Sequence, residues 1–436
     1  MTVDQILTLV VLAGVVAALI WDRLRADVVA LTGAAILLMT GVVRPVEVQG
    51  AFASPAIIAL ASLFVIAYAL ELSGLLDRAI DLAVRTCQRM GSKGIWALFV
   101  AIGGVSAFLN STPIVVLTAP VVRDVSTALK ETPKRYLMPL SYITVLAGCC
   151  TLIGTSTNLL VDDMARITGQ PRFGMFEVTP VGLPMALVGG LYLFLFSGRL
   201  LRGVENEPPA GEPIHVPDDL EIGGAQVGDV SLFAQRRPFS PGKAAISLAI
   251  FVGAILLATL NVAPIAATAF AGAVLLILLK VITADEAYNG LKPDILILIA
   301  GMVVIGIGME VSGLAAAATR AFVGSMDGLG PLAALIVLYG LTMILTELLS
   351  NATVAVLVTP VAVALAESLG VSPRPFLVAV MMAASAAFAT PFGYQTNVIV
   401  YQMGGYRYLD FVRVGLPLNL LTFAVAIVAI HAFFPF

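Results

Sequence analysis

Asn110-Ser111-Thr112-Pro113-Ile114-Val115-Val116-Leu117-Thr118-Ala119-Pro120 interrupts an apolar run, and the chain repeats the pattern as Ser350-Asn351-Ala352-Thr353-Val354-Ala355-Val356-Leu357-Val358-Thr359-Pro360. In each copy small amides and hydroxyls precede a proline. At membrane depth such groups are costly unless they face a cavity, a partner helix or an ion. Two copies point to a site at a pseudo-symmetric interface between two halves.

The repeat extends outward from these copies. Glu71-Leu72-Ser73-Gly74-Leu75 returns as Glu310-Val311-Ser312-Gly313-Leu314. Thr151-Leu152-Ile153-Gly154-Thr155-Ser156-Thr157-Asn158 returns as Thr390-Pro391-Phe392-Gly393-Tyr394-Gln395-Thr396-Asn397, and Val181-Gly182-Leu183-Pro184 as Val414-Gly415-Leu416-Pro417. The same order at nearly one shift marks an internal duplication.

Composition sets the environment. The 436 residues are 59% hydrophobic and 12% charged, with mean hydropathy +1.01. A soluble domain carries about 25% charged residues, so this chain reads as an all-α polytopic membrane protein. The net charge of -3 identifies no partner and gives no nucleic-acid signal. Cys87, Cys149 and Cys150 lack disulfide or metal-ligand spacing, and His215 and His431 are isolated. All five read as structural. Residues 5–20 follow Asp4 without a basic leader, so they read as a retained span rather than a signal peptide.

The stretch 203–242, rich in Pro, Gly and acidic residues, reads as a linker between repeats 1–202 and 243–436. Apolar pieces near 95–109 and 113–122 are short for spans, as are 330–349 and 352–366 broken at the second polar cluster; a span needs about 20 residues. Re-entrant hairpins over about 95–128 and 330–368 fit better. Each half then holds five transmembrane helices plus a hairpin. The odd number inverts the second repeat, an architecture of secondary transporters. Charge supports this topology. With both termini outside, only Arg44, Arg166, Arg172, Arg320 and Arg374 lie outside, and the other 19 of the 24 lysines and arginines lie inside with the linker. The membrane implied is a bacterial-type inner membrane. Arg78, Arg85, Arg89 and Lys93 suggest an interfacial amphipathic helix after Gly74.

Four polar clusters reach membrane depth: two hairpin tips, and two breaks in the segments 136–167 and 373–403. Gly154, Pro391 and Gly393 interrupt helical bonding at the breaks, beside Thr157, Asn158, Thr396 and Asn397. Freed carbonyls suit a hard cation, and half-helix N-termini suit an anion. Small polar residues that merely satisfy one another during close packing are the simpler explanation of any single cluster; four at symmetric positions favour a site.

These motifs resemble those of the divalent anion:sodium symporters, the sodium–sulfate/carboxylate cotransporters. Asn110-Ser111-Thr112 and Ser350-Asn351-Ala352 stand where that family has Ser-Asn-Thr or Asn-Asn-Thr triplets, and Ala389 to Asn397 is similar to its second broken helix. Ser111 and Ala352 depart from the pattern. The resemblance implies an elevator-type transporter, a homodimer in the lipid bilayer, that carries a small anion with Na⁺. It places one Na⁺ among Ser106, Asn110, Ser111 and a carbonyl near Cys150. A second falls among Thr346, Ser350, Asn351 and the Ala389 carbonyl. The anion would touch Asn110, Ser111, Thr112, Ser350, Asn351, Ala352, Thr390 and Pro391. Tyr394-Gln395 resembles sulfate-type bacterial members; a dicarboxylate is the close alternative.

Glu347, a carboxylate at membrane depth, is a functional candidate by default, for proton coupling or for a cation. It also keeps open an arsenite-type efflux permease or a Na⁺/H⁺ antiporter. Glu71 and Glu310 read as helix-terminus residues, and Asp162 and Asp163 as solvated. No phosphate loop or nucleotide motif is present, so ATP drive is not expected, and no enzymatic chemistry is implied.

Overall fold

The computed structural model describes residues 2–21, 24–75, 78, 92–201, 221–222, 225–226, 238–260, 262–315, 317, 330–391 and 393–436. Arg85, Arg89, Cys87, His215, Phe392 and most of the linker therefore lie outside the described residues. In what is described of the linker, Glu221 pairs with Gln226 and Ile222 with Ala225 in a two-residue antiparallel ladder.

The described helices fall into two matching series. The first comprises α1 (Val3–Trp21), α2 (Ala26–Met39), α3 (Pro45–Phe52), α4 (Pro55–Leu72), α5 (Ser92–Ser106), α6 (Ser111–Ala128), α7 (Lys134–Gly148), α8 (Ser156–Ile167) and α9 (Thr179–Leu200). The second comprises α10 (Pro241–Thr259), α11 (Ile265–Leu278), α12 (Ala284–Gly290), α13 (Pro293–Val311), α14 (Pro331–Thr346), α15 (Asn351–Ser368), α16 (Arg374–Ser385), α17 (Gln395–Gly404) and α18 (Tyr408–Phe433). Corresponding helices follow in the same order and keep the same neighbours, as the sequence repeat requires.

Local chemistry sets the boundaries. Prolines sit in the first turn of α3, α10, α13 and α14, where the missing N–H costs nothing. Thr283 and Glu286 form a reciprocal capping box on α12, with bonds of 3.2 and 2.7 Å. The short helices α3 and α12 are absent from the sequence reading, although that Thr-x-x-Glu signal could have revealed the second. Gly405 ends α17 at φ +59, a left-handed conformation open to glycine.

Packing is reciprocal between halves. α2 lies on α13 and α11 on α4; α3 lies on α13 and α12 on α4. In the other body α5 packs on α7 as α14 packs on α16, α6 lies on α17, and α15 on α8. α9 and α18, which correspond to each other, pack together. Large apolar side chains on the outer helices remain exposed, among them Leu256, Leu260, Phe270, Leu278 and Val428. That belt suits hydrocarbon.

Among the described residues five apolar runs are long enough to cross a membrane: Pro45–Leu72, Thr179–Leu200, Pro241–Thr259, Asn351–Ser368 and Tyr408–Phe433. One of them is α15, whose 18 residues rise about 27 Å. The argument that this hairpin arm is too short to span is thus corrected. What marks the hairpin is the tight junction at 347–350 and its polar residues.

Asp163 is a second correction. It is 3% exposed, not solvated. It accepts the Ser54 hydroxyl from the start of α4 and sits 3.3 Å from Arg166. Asp162 is partly buried and accepts the Phe173 N–H at 2.7 Å. Arg374 clamps the start of α16 to the segment before α9. It makes two bonds of 2.8 Å to the Glu177 carboxylate, donates to the Pro171 and Arg172 carbonyls, and stacks 3.8 Å over Phe173.

Candidate functional site

The two polar tips are helix N-caps. Asn110 precedes α6, and its Oδ1 accepts the Thr112 N–H at 3.1 Å. Ser350 precedes α15, and its Oγ accepts the Thr353 N–H at 3.3 Å. Each satisfies a backbone donor that the first turn would leave bare.

Behind each tip a matching set of three oxygens, a triangle, recurs, with all three sides closed in the first half and two in the second. Ser106 Oγ and Ser111 Oγ lie 3.1 Å apart, and both reach the Thr144 carbonyl, at 2.8 and 3.1 Å. Thr346 Oγ1 lies 2.9 Å from Asn351 Oδ1 and 2.7 Å from the Ala384 carbonyl. Thr346, Asn351 and Ala384 are the repeat counterparts of Ser106, Ser111 and Thr144. Each triangle joins two side-chain oxygens of a hairpin to one carbonyl of the broken helix facing it.

The breaks repeat as well. Between α7 and α8, Thr151 Oγ1 donates to the Ala107 carbonyl at 2.5 Å and accepts the Gly154 N–H at 3.1 Å. Asn158 Nδ2 donates to the Thr151 carbonyl at 2.9 Å. Between α16 and α17, Thr390 Oγ1 donates to Glu347 at 2.8 Å and accepts the Gly393 N–H at 3.0 Å. Asn397 Nδ2 donates to the carbonyls of Ala387 (2.8 Å) and Thr390 (3.2 Å). A side chain at Gly154 would meet the carbonyl oxygens of Ala107 and Gly148 at 2.5 Å, so glycine lets these backbones approach.

The halves join through Ser141, whose Oγ lies 2.7 Å from both Thr396 Oγ1 and Asn397 Oδ1. The Tyr142 hydroxyl donates to the Phe388 carbonyl at 2.7 Å, and Thr112 Oγ1 lies 3.1 Å from Gln395 Oε1. Ser141, Thr396 and Asn397 are fully buried. A buried acceptor that loses its donor costs about 1–3 kcal/mol. Ser141→Ala is therefore expected to lower the thermal midpoint of the purified protein clearly, whereas Thr127→Ala, at an exposed helix position, leaves it unchanged.

Of the residues expected to form the site, the structure brings Ser106 and Ser111 together, Thr346 with Asn351, and Thr390 with Glu347. The Cys150 carbonyl accepts the Thr179 hydroxyl at 2.6 Å, and the Thr144 carbonyl is the one that meets Ser106 and Ser111. The Ala389 N–H is turned onto Glu347. Thr157 N–H bonds to Thr155 Oγ1 at 3.4 Å. Ala352 is partly buried against the apolar core, and Pro391 is buried. Cys149 and Cys150 are free and buried, in keeping with a structural role. Sequence reasoning missed Ser141, Tyr142, Thr144, Ala384 and Asn419. The carbonyls of Thr144 and Ala384 carry no side-chain signal.

Paired interrupted helices among apolar helices long enough to cross a membrane fit a polytopic membrane transporter. The chain belongs to the citrate transporter family, whose model matches residues 16–367 and 348–436. It is 25% identical to an uncharacterized transporter of Synechocystis sp. over 95% of both chains. It is 22% identical to the sodium-dependent dicarboxylate transporter SdcS of Staphylococcus aureus over 92% of this chain and 80% of that one. A probable sodium/sulfate cotransporter of Chlamydomonas reinhardtii is 43% identical over a shorter region, 22% of this chain and 12% of its own length. These relatives are transporters, not enzymes.

Proposed function

We propose that the chain is a secondary active transporter that moves a small divalent anion, a sulfate-like oxyanion or a dicarboxylate, together with Na⁺. The observation that carries this reading is the duplicated oxygen triangle. Na⁺ is a hard cation satisfied by hydroxyl, amide and carbonyl oxygens. Ser106, Ser111 and the Thr144 carbonyl offer such a set, as do Thr346, Asn351 and the Ala384 carbonyl, with Asn110 and Ser350 next in the chain; Ala389 is the further carbonyl proposed for the second set. Among the described residues no group of three His, Cys, Asp or Glu side chains could hold a transition metal.

The anion belongs between the tips, near Asn110, Ser111, Thr112, Ser350, Asn351, Ala352, Thr390 and Pro391. The N-terminal ends of α6, α8, α15 and α17 all lie at these tips and breaks, and such ends carry partial positive charge. The names of the Chlamydomonas and Staphylococcus relatives support sulfate and dicarboxylate as candidates. Each cation would neutralise the oxygen-rich tip beside it and so favour the anion's entry.

In the proposed movement the second repeat is inverted relative to the first. α5–α9 and α14–α18 slide as one body, elevator fashion, against α1–α4 and α10–α13, which also form a homodimer. Both termini lie outside a bacterial inner membrane, and the linker lies in the cytoplasm.

A thermal-shift panel of sulfate, succinate, citrate, arsenite and phosphate, each in Na⁺ or choline, tests the reading. A ligand at a hundred times its Kd stabilises by about 2.7 kcal/mol. Sulfate or succinate is expected to raise the midpoint in Na⁺ and not in choline. Equal shifts in the two salts would remove sodium from the proposal, and a response to arsenite alone would favour an efflux permease.

A further inference from the structure

The two triangles match, but their surroundings differ by one charge. Glu347 stands at the C-terminal end of α14, directly after Thr346. Its repeat counterpart is Ala107. In the first half the Thr151 hydroxyl finds the Ala107 backbone carbonyl; in the second half the Thr390 hydroxyl finds a carboxylate. A helix C-terminus repels negative charge, so this carboxylate needs donors to stay. It has four: the Ala389 N–H at 2.8 Å, the Thr390 N–H at 2.9 Å, Thr390 Oγ1 at 2.8 Å and Asn419 Nδ2 at 2.7 Å. Asn419 turns to it at the expense of its own Oδ1, which is buried and unpartnered. Among the described residues Glu347 enters no ion pair.

The geometry does more than hold a charge. A trans peptide points its N–H and C=O in opposite directions. With the Ala389 and Thr390 N–H groups on Glu347, the Phe388 and Ala389 carbonyls point away from it. The Phe388 carbonyl meets the Tyr142 hydroxyl, and the Ala389 carbonyl is turned to the side opposite the carboxylate.

We propose that Glu347 is a positioning residue that makes the two cation sites unequal, orienting the Ala389 carbonyl and adding a negative field so that the Thr346–Asn351 site takes Na⁺ more tightly and fills first. This rests on the sodium-coupled reading. Neutral donors compensate the carboxylate without neutralising it, so its field is available to a cation at the adjacent residue.

The test is a NaCl titration of the purified full-length protein at constant ionic strength with choline, read by thermal stability. Wild type is expected to show two phases. In Glu347→Gln the phase at lower Na⁺ moves up by about tenfold or more, while sulfate or succinate affinity at saturating Na⁺ stays within about threefold. Ser106→Ala moves the other phase only. Glu347→Asp is expected to restore most of the shift, because it keeps the charge. Asn419→Leu is expected to change little, because the charge and both backbone bonds remain.

A Glu347→Gln protein with both phases unmoved overturns the proposal. So does Asn419→Leu shifting as far as Glu347→Gln with anion affinity falling in parallel, the mark of a purely structural part. Where Glu347→Gln fails to accumulate, Glu347→Asp decides: a small upward move of the lower-Na⁺ phase alone supports the proposal, and both phases moving together, or neither moving, overturns it. A wild-type protein indifferent to Na⁺ overturns the sodium-coupled reading itself, and the inference with it.

Discussion

Gly415→Ala is expected to leave little folded protein and no measurable transport. A methyl at this position of α18 would stand 1.7 Å from the Phe388 carbonyl oxygen and 2.3 Å from its carbon. Both obstacles are backbone, so no rotamer change relieves them. Nor can the Phe388 peptide retreat easily. Its oxygen holds the Tyr142 hydroxyl, its ring packs 5.0 Å from the Tyr142 ring, and the next N–H is held by Glu347. Overpacking with side-chain relief costs about 1–3 kcal/mol, and here relief requires moving the break itself. Gly182, the repeat counterpart on α9, faces the Cys149 carbonyl, with a would-be methyl at 2.4 Å, so Gly182→Ala is expected to do milder damage. Gly340→Ala and Gly190→Ala have open space and serve as controls. Yield and thermal midpoint in detergent should fall in the order control, Gly182→Ala, Gly415→Ala. A Gly415→Ala protein as stable as the controls would mean the contact between α18 and the break is wrong.

The second large effect concerns sodium. Thr346→Ala removes one oxygen of the second triangle and strips a donor from the Ala384 carbonyl. The half-saturating Na⁺ concentration for anion-dependent stabilisation is expected to rise by at least about tenfold, equivalent to 1.4 kcal/mol. Thr346→Ser keeps the hydroxyl and should recover most of the loss. The double variant Ser106→Ala/Thr346→Ala is expected to abolish Na⁺ dependence. High Na⁺ should rescue anion binding in the single variant, because the anion's own contacts remain. An unchanged sodium requirement in the double variant would exclude both triangles as cation sites.

Much of this organisation could be read from the residues. The repeat was visible because Asn110 to Pro120 and Ser350 to Pro360 keep their small polar residues and proline in register, and the breaks were visible because glycine and proline stand inside apolar runs. The linings of the site were less visible. Thr144 and Ala384 contribute main-chain oxygens, which every residue possesses, and only the fold shows which ones face a hairpin. Asp163 looks like a surface residue beside Asp162, because its partner Ser54 lies 109 residues away. Hydropathy likewise could not tell that 352–366 extends into an 18-residue helix, since the residues that lengthen it, Asn351, Glu367 and Ser368, are polar.

The reciprocal packing has a consequence for biogenesis. Each half closes its own set of oxygens, but neither supplies the surface it packs against, because α6 rests on α17 and α8 on α15. Ser141 waits for Asn397, 256 residues further along the chain. At the usual elongation rate of about 5–20 residues per second, that separation is roughly 13–50 s of synthesis. During that interval the nascent first half carries Ser141 and Thr112 without their mates, so its polar interior must be sheltered by the insertion machinery or by water until the second half emerges. Truncation anywhere before α17 should therefore yield a chain for the quality-control proteases, whereas two separately expressed halves contain every surface needed to find each other.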